Sequence, residues 1–384
     1  MKIKYVSEQA PTGYGRAARG YIRALQMSGA ELTWTPMLVG DRWGKYLEPF
    51  LGTDLDDEFA GLCNRPLEYD LVVVQLLGDY FPRWRSVEPG KKLIGITVWE
   101  TDQLDEVAVA KLSQVDGMIV PCRWNERTFR NGGVTVPIHV APHIHFESNA
   151  PSASLDLPEI ADSDCVFYAI GDWRERKGMH LTVESFCRAF TGKDPVALVI
   201  KTGPVDERRR VPGHWWWHIG RRFLTPRRAV AQILAKHRDP PKVVLVTGEV
   251  PAGRIQAIHR RGDCYASLAR AEGWGLGAYE AAFAGKPVIM TGHGGQLDFL
   301  PASLSYHVDF QLIPARPTGE SEMGFQGHLW ADPDLDHGAR QMREVFSSRK
   351  QAQQRGQALR AFVKERFDPL RIAAGMMDFA ASLK

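Results

Sequence analysis

The chain contains 384 residues, of which 44% are hydrophobic and 24% are charged, and its formal net charge is +3. A chain of this length is expected to fold as two domains, and its composition is that of a globular protein rather than a disordered or fibrous one. The nearly balanced charge gives no reason to expect a polyanionic partner. No apolar run reaches the roughly 18 residues that a membrane-spanning helix needs.

The cysteines occur singly, without a C-x-x-C pair. They are Cys63, Cys122, Cys165, Cys187 and Cys264. An odd, dispersed set of cysteines is typical of free thiols in a reducing compartment. The first residues, MKIKYVSE, enter a strand pattern directly, so no signal peptide is expected. These features predict a cytoplasmic protein.

The first half of the chain alternates apolar strand patterns with helical stretches. Strand patterns cover residues 2–6, 32–39, 70–77, 92–99 and 117–121. After the first of them, the glycine-rich stretch PTGYGRAARGYIRAL becomes a helix whose apolar face carries Ala18, Ile22 and Leu25. Nearly continuous runs of Val, Ile and Leu, separated by helices, predict a buried parallel sheet.

A Pro-, Ser- and Asp-rich stretch at 141–163 predicts a linker, after which the alternation starts again. In the second half, strand patterns cover 165–173, 196–203, 242–250, 263–268 and 287–292. A helix is predicted at 175–190 and a helical tail at 362–384. The sequence therefore predicts an α/β protein with two Rossmann-like domains, at 1–150 and 160–361. Ligands of such sheets bind beyond the carboxyl ends of the strands, which would place the site in the cleft between the domains.

The most informative segment is DCYASLARAEGWGLGAYEAAFAGKPVIMTGHGGQLDFL, residues 263–300. It places Glu272 in a glycine-rich turn and Glu280 about two turns into the small-residue helix that follows. The turn glycines allow the backbone to approach a ligand closely, and the start of the helix favours an anion. Both carboxylates are therefore expected to face one pocket.

This segment resembles the donor-site motif of retaining GT-B glycosyltransferases of family four, E-G-[FW]-G-x4-E-A-x-A-x-G-x-P-V-I. The resemblance implies the GT-B fold, in which two Rossmann-like domains with parallel sheets face each other across a cleft. It also implies that the last helix, from about 362 to 384, returns to the first domain. The implied enzyme transfers a hexose from a UDP- or GDP-linked nucleotide sugar to a saccharide or lipid-linked saccharide acceptor and forms an α-glycosidic bond.

The resemblance also implies roles for residues of the segment. Glu272 would bind hydroxyl groups of the transferred sugar, and Glu280 would accept hydrogen bonds from the ribose. A carboxylate suits both tasks because it can accept two hydroxyl donors. The neighbouring residues expected to contact the donor are Gly273, Trp274, Gly275 and Leu276.

The stretch GDWRERKGMH follows an apolar strand and opens a helix, so backbone N–H groups and basic side chains meet there. It resembles the G-x-n-R-K-G element with which the family grips the donor diphosphate, and Lys177 matches directly. The family often has Arg immediately after the strand glycine, but Asp172 stands there in this chain. Whether Arg174 or Arg176 replaces that arginine stays open at this point.

Two further turns are expected to line the site. Gly248 and Glu249 end a strand pattern, and the family resemblance implies that the base of the nucleotide lies near them. Gly13 and Gly15 follow the first strand, and their loop is expected to supply dipoles where the leaving group gains charge.

At the end of the strand ITVW, the family often has a His where this chain has Trp99, followed by Glu100. Three interpretations stay open for this pair. Glu100 could orient the acceptor hydroxyl or act as a weak base, Trp99 could stack on a sugar face, or both could only pack.

We expect no metal and no cofactor besides the donor. His139, His143 and His145 form an H-x3-H-x-H pattern, but apart from Glu147 no carboxylate and no Cys of matching spacing accompanies them. The strings 54–56 and 334–336 read D-L-D, yet neither follows an apolar strand. Neither pattern therefore predicts a metal site.

Residues 208–228, RRRVPGHWWWHIGRRFLTPRR, combine arginines with three consecutive tryptophans. This composition suits an anionic membrane surface, where indoles lie at headgroup depth. It would also suit single-stranded nucleic acid, or an insertion whose tryptophans pack on their own domain. We expect peripheral contact with the inner face of the membrane and no nucleic acid partner.

Two alternatives to a glycosyltransferase remain. A related GT-B sugar phosphorylase or epimerase would share the donor motif. A catalytically idle nucleotide-sugar-binding scaffold would also share it, although the intact set of Lys177, Glu272 and Glu280 argues against an idle protein.

Overall fold

The computed structural model describes residues 1–40, 46–147, 157–208, 225–315 and 327–383. The chain divides into two compact units. Unit 1 comprises Met1–Glu147, Gly319–His328 and Arg366–Lys384. Unit 2 comprises Ser148–Thr318 and Leu329–Glu365.

The regular elements are numbered here in chain order, for the described residues. The strands are β1 Lys2–Glu8, β2 Glu31–Val39, β3 Leu47–Pro49, β4 Leu71–Gln75, β5 Lys92–Ile96, β6 Gly117–Val120, β7 Ile138–Val140, β8 Cys165–Ile170, β9 Val196–Thr202, β10 Lys242–Thr247, β11 Cys264–Ser267, β12 Val288–Thr291, β13 Tyr306–Val308, β14 Phe310–Pro314 and β15 Leu329–Pro333. The helices are α1 Gly13–Met27, α2 Phe81–Val87, α3 Glu106–Leu112, α4 Arg123–Asn131, α5 Met179–Ala189, α6 Pro226–Leu234, α7 Ala252–Arg261, α8 Leu276–Phe283, α9 Leu335–Ser347, α10 Arg349–Arg366 and α11 Pro369–Ser382.

Unit 1 is built on a sheet with the strand order β3-β2-β1-β4-β5-β6-β7. All neighbouring strands are parallel except β3, which pairs antiparallel with β2. Every residue of β4, LVVVQ, is buried, as expected for a strand covered on both faces. Helix α11 packs against α1 and so completes this unit.

Unit 2 contains a parallel sheet with the order β10-β9-β8-β11-β12-β13. The chain runs outward from β8 in one direction and from β11 in the other, so the strand order reverses between these two neighbours. In a doubly wound sheet, the loops after the carboxyl ends of such a pair diverge and leave a crevice for a ligand. Aromatic and aliphatic side chains, including the buried Phe167, Phe186 and Phe190, form the core of unit 2, to which α5 contributes Phe186.

The structure corrects the predicted extent of two helices. The predicted helix at 175–190 begins at Met179, because Gly178 adopts a left-handed conformation with φ of 59° and interrupts the helical path. The predicted helical tail is two helices, since Asp368 caps α11 and Pro369, at its first position, cannot continue α10. The antiparallel pair β14 and β15 was not predicted.

The predicted linker lies partly outside the described residues, at 148–156. Two histidines of the H-x3-H-x-H pattern, His139 and His143, have separate partners. Nδ1 of His143 is 3.0 Å from the hydroxyl of Tyr21. Burial lowers the pKa of His143 to about 3, so the ring is neutral. The ring of His139 stacks on Phe379, with centroids 5.3 Å apart. Within the described ranges, no group of three or more His, Cys, Asp or Glu side chains could hold a metal ion.

Trp99 is a core residue of unit 1, with 6% of its surface exposed. Its indole Nε1 donates to the carbonyl of Gln103 at 2.6 Å, and its ring meets Phe129 edge-on. Of the interpretations left open for Trp99, packing is therefore the one that its surroundings favour, because the ring is enclosed by its own unit. As for the membrane, the helices of the described residues include none with the length and apolar character needed to span it.

Candidate functional site

The candidate site lies at the strand-order reversal of unit 2, where two loops leave adjacent parallel strands. The loop after β8 runs from Gly171 to Gly178 and leads into α5, and the loop after β11 runs from Leu268 to Gly275 and leads into α8. Both loops end in glycines with left-handed backbone conformations, with φ of 59° at Gly178 and 89° at Gly275. Two helix N-termini, whose first backbone N–H groups have no partner within the helix, therefore begin at this edge of the sheet.

The two loops touch each other along their backbones. A Cβ atom at position 178 would lie 2.0 Å from the carbonyl oxygen of Leu268, so only glycine fits there. The backbone N–H of Arg270 donates to the carbonyl of Arg176 at 2.8 Å. This close approach aligns the basic residues of the first loop with the acidic residue of the second.

Lys177 and Glu272 form the central ion pair of the site. The Lys177 Nζ atom is 2.8 Å from both carboxylate oxygens of Glu272. Glu272 is buried, with 8% of its surface exposed. Nη1 of Arg176 lies 3.7 Å from Glu272 Oε2 and donates to the carbonyl of Ala271 at 2.8 Å. Two cations thus share one buried carboxylate.

Arg174 has a different environment from Arg176. Its Nε atom is 2.8 Å from Glu207 Oε2 and 3.9 Å from Asp172 Oδ2. Arg174 is therefore held by its own acidic partners, whereas Arg176 is held beside Glu272. The structure brings Arg176, Lys177 and Glu272 together and places Arg174 in a separate ion pair.

Sequence reasoning missed Arg270, which ties the two loops to the rest of the unit. Its guanidinium bonds to Asp332 Oδ1, with Nε and Nη2 at 2.8 and 2.7 Å, and it also donates to the carboxylate of Glu175. Charge-assisted contacts from one guanidinium to two carboxylates fix its position well. The only sequence signal was its position two residues before Glu272.

Gly294 and Gly295, which follow the motif in the sequence, contact the backbone of Glu272. The N–H of Gly295 donates to the carbonyl of Glu272 at 2.8 Å. Gly294, with φ of 106°, brings the chain so close that a Cβ there would lie 2.8 Å from the same carbonyl oxygen. The backbone of Glu272 is thus held in place by a third loop.

Glu280, on α8, has partners other than those of Glu272. Its Oε2 atom is 3.3 Å from Nε2 of His259 on α7, and His259 Nδ1 is 2.9 Å from the hydroxyl of Tyr168 on β8. His259 carried no recognisable motif in the sequence, so its contact with Glu280 could not be anticipated.

The Trp274 side chain is buried, with 2% of its surface exposed. It packs against Tyr279 and Phe299, with ring centroids 5.0 and 4.9 Å away. The indole is therefore enclosed by the core, and the predicted contacts of Trp274, Gly273 and Leu276 with the donor stay predictions.

Gly248 and Glu249 follow β10, which is one of the two edge strands of the unit 2 sheet. Gly248 has φ of 89°, and its N–H donates to the carbonyl of Thr202 at 3.0 Å. Glu249 is exposed. Both residues follow the carboxyl end of their strand, as the two loops after β8 and β11 do.

In unit 1, the predicted loop forms the start of α1. Gly15 lies so close to the preceding chain that a Cβ would be 1.9 Å from the carbonyl oxygen of Ala10, whereas a Cβ at Gly13 would meet nothing within 4 Å.

The hydroxyl of Tyr14 is 2.9 Å from Thr97 Oγ1, just after β5, and the half-buried Glu100 follows nearby in the chain. Burial raises the pKa of Tyr14, and the charge of Glu100 adds to this shift. The functional roles of Gly13, Gly15 and Glu100 stay predictions of the sequence.

Most of the arginine- and tryptophan-rich segment, residues 209–224, lies outside the described residues. Its predicted contact with a membrane surface therefore rests on the sequence alone.

Comparison with known proteins addresses the region that contains these loops. Residues 158–303 match the family model of glycosyl transferases group 1. The matched stretch includes Lys177, Glu272, His259 and Glu280. A comparison of the sequence with curated proteins gives no match.

Solved structures resemble the whole chain. Alr3699/HepE of Anabaena, in complex with UDP and glucose, has a TM-score of 0.68 at 14% identity, with 100% of both chains covered. Sucrose-phosphate synthase of Thermosynechococcus elongatus has a TM-score of 0.67 at 14% identity, covering 100% of this chain and 99% of the other. The E. coli structure described as trehalose-6-phosphate bound with UDP-2-fluoro glucose has a TM-score of 0.63 at 12% identity, with 100% of both chains covered. These likenesses confirm the predicted fold class, GT-B with two Rossmann-like parallel-sheet domains.

Proposed function

We propose that this protein is a retaining glycosyltransferase. It transfers a hexose from a UDP- or GDP-linked sugar to a saccharide or lipid-linked saccharide acceptor and forms an α-glycosidic bond. The observation that carries the proposal is the Lys177–Glu272 pair, which lies between two helix N-termini within the segment that matches group 1 glycosyl transferases.

The donor diphosphate binds Lys177, Arg176 and the N-terminus of α5. Two fixed cations next to a helix N-terminus form a strong anion site, because both the side chains and the helix dipole attract negative charge. Arg176 fits this role better than Arg174, since Arg174 is engaged by Glu207 at 2.8 Å. When the diphosphate binds, its oxygens replace the Glu272 carboxylate as partners of Lys177.

Glu272 then accepts hydrogen bonds from hydroxyl groups of the hexose. The carboxylate is positioned for this exchange because its backbone is held by Gly295 and its side chain by Lys177. The backbone N–H groups at the start of α8 lie in the same turn and can bind the sugar or its phosphate. Glu280 accepts the ribose hydroxyls, and the base lies near Gly248 and Glu249.

The reaction needs no strong protein base. The bond between the anomeric carbon and the diphosphate oxygen breaks, and the negative charge that develops on the diphosphate is stabilised by Lys177 and Arg176. The acceptor hydroxyl attacks the anomeric carbon on the same face, and its proton passes to the departing phosphate oxygen. Because fixed cations balance the leaving group, we propose that the reaction proceeds without a metal ion.

Of the two proposed donors, the UDP-linked one has support from similar structures that are described with UDP and glucose or with UDP-2-fluoro glucose. Nucleotide identity is tested by thermal unfolding of the full chain with UDP-, GDP-, ADP- and dTDP-sugars, in buffer that contains EDTA. A ligand at about 100 times its dissociation constant stabilises a protein by about 2.7 kcal/mol. We expect a UDP- or GDP-sugar to raise the unfolding temperature, and a shift that requires added Mn²⁺ or Mg²⁺ would contradict metal-independent binding.

Product analysis separates this proposal from its alternatives. A phosphorylase would release a hexose phosphate only when inorganic phosphate is supplied, and an epimerase would change the donor sugar without an acceptor. An idle scaffold would bind the donor and leave it intact. The proposed transferase instead forms a glycoside with an acceptor and slowly hydrolyses the donor in its absence.

A further inference from the structure

A chain of hydrogen bonds lies behind Glu280 and connects three elements of unit 2. The hydroxyl of Tyr168, on β8, is 2.9 Å from Nδ1 of His259, which is in the last turn of α7. His259 Nε2 is 3.3 Å from Oε2 of Glu280 on α8. The His259 and Glu280 side chains are 9% and 11% exposed, and Tyr168 is fully buried.

The positions of the protons in this series of hydrogen bonds follow from the chemistry of Tyr168 and Glu280, the residues at its two ends. Burial raises the pKa of Tyr168 well above its ordinary value, so its hydroxyl keeps its proton and can donate to Nδ1 of His259. A neutral imidazole that accepts at Nδ1 carries its proton at Nε2. His259 therefore presents an N–H donor to the carboxylate of Glu280.

The packing of Tyr168 fixes the direction of the imidazole. The Tyr168 and His259 rings meet edge-on, with centroids 5.4 Å apart and an interplanar angle of 88°. Gly262, directly after α7, makes room for the tyrosine, since a Cβ there would lie 2.2 Å from the Tyr168 ring. The Nε2–H group of His259 that faces Glu280 is thus held by a packed core, and the imidazole cannot rotate freely.

We infer that His259 is a positioning residue that holds the Glu280 carboxylate ready for the ribose of the donor, and that Tyr168 sets the orientation of His259. The inference deepens the proposed function and rests on it. A carboxylate has several acceptor sites on its two oxygens, so Glu280 can accept from His259 and from ribose hydroxyls at the same time. Orienting the carboxylate in advance removes a cost of ordering it when the nucleotide binds.

A purely structural role for His259 makes a different prediction. If the histidine only provides a hydrogen bond to a buried glutamate, its removal lowers the unfolding temperature and weakens the binding of every nucleotide to the same extent. If it positions Glu280, its removal weakens the binding of nucleotides that carry ribose hydroxyls and leaves the binding of nucleotides without them unchanged. The ratio of the two affinities therefore separates the two roles.

The experiment measures dissociation constants by calorimetry for the full chain, with UDP and 2′,3′-dideoxy-UDP and with the corresponding guanosine pair. The variants are His259→Ala, His259→Gln and Tyr168→Phe, with Glu280→Ala as the reference for a lost ribose contact. Gln keeps an N–H donor near the position of Nε2. His307→Ala is the matched control, because it removes another imidazole of unit 2, which is bonded to the carbonyl of Leu300 at 2.8 Å.

The wild type is expected to prefer the ribonucleotide by about tenfold or more, as for a hydrogen bond to a charged group. His259→Ala should lose most of this preference, as Glu280→Ala does, and Tyr168→Phe part of it. His259→Gln and His307→Ala should keep it. An unchanged preference in His259→Ala, with Glu280→Ala affected, overturns the inference and leaves the proposed function intact. Failure of the wild type to bind any of these diphosphates overturns both.

Discussion

At the scale of single residues, the Lys177–Glu272 pair is better explained by binding than by stability. Desolvation of two charges offsets much of their attraction, so a buried ion pair adds little to the stability of a fold. The pair is nevertheless supported at two points, by Arg176, whose Nη1 atom is 3.7 Å from Glu272 Oε2, and by Gly295, whose N–H donates to the Glu272 carbonyl. Such support is expected where two charges must separate in a controlled way when a ligand enters.

Replacing Glu272 by Gln keeps the size of the side chain and removes its charge. We expect glycosyl transfer to fall by about 100-fold or more, because the amide is a poorer acceptor for the sugar hydroxyls. Free UDP should bind at least as tightly as before, since Lys177 no longer has a competing carboxylate. Steady-state kinetics and calorimetry give the two values. Glu207→Gln, the partner of Arg174, is the control and should leave transfer nearly unchanged.

Replacing Lys177 by Ala should weaken the binding of free UDP and of the sugar donor by about tenfold or more. Both should be affected alike because the proposed partner of Lys177 is the diphosphate. Arg176→Ala should behave similarly. Arg174→Ala should have a smaller effect, because Arg174 is held by Glu207. Titration calorimetry with UDP measures all three, and equal losses for Arg174→Ala and Arg176→Ala would show that the ion pairs do not distinguish the two arginines.

At the scale of elements, the site depends on a close contact between two loops, and only glycine fits at the position of that contact, Gly178. The sequence predicted the strands on either side of them well, because continuous apolar runs leave little choice of structure. It also placed Glu272 in a turn and Glu280 on a helix. It could not predict which arginine lies beside Glu272, nor that His259 reaches Glu280, because both depend on contacts between segments far apart in the chain.

Replacing Gly178 by Ala tests how strictly the two loops require glycine. The left-handed conformation alone costs about 1–2 kcal/mol for a residue with a Cβ, and this Cβ would lie 2.0 Å from the carbonyl oxygen of Leu268. We expect the unfolding temperature to fall by at least about 2–4 °C and nucleotide binding to weaken. Gly13→Ala is the matched control for stability, since a Cβ there would meet nothing within 4 Å.

The segment 208–228 is the element whose role rests on sequence alone. We expect the wild type to bind anionic vesicles at low salt, because indoles insert at the interface and each basic residue contributes about 1 kcal/mol. Replacing Trp215, Trp216 and Trp217 by Ser should reduce co-sedimentation with vesicles and leave activity on a soluble acceptor intact. If the wild type ignores anionic vesicles at low salt, the tryptophans have another role, such as packing within their own unit.

At the scale of the whole molecule, alternating strands and helices were enough to predict two Rossmann-like units, and the structure contains both sheets. The sequence did not reveal that Trp99 belongs to the core of unit 1, because an apolar residue at the end of a strand can serve either packing or binding. Similar structures at 12–14% identity share this architecture. Activity must therefore be tested on the molecule itself.

The most direct test follows the anomeric carbon by NMR while the full chain reacts with UDP- and GDP-hexoses and a panel of saccharide acceptors, in buffer with EDTA. The account predicts an α-glycoside formed from an α-linked donor, with release of the nucleoside diphosphate, and almost no product from the Glu272→Gln variant. A folded wild-type protein that binds these donors yet forms no glycoside, or forms one with inverted configuration, would contradict it.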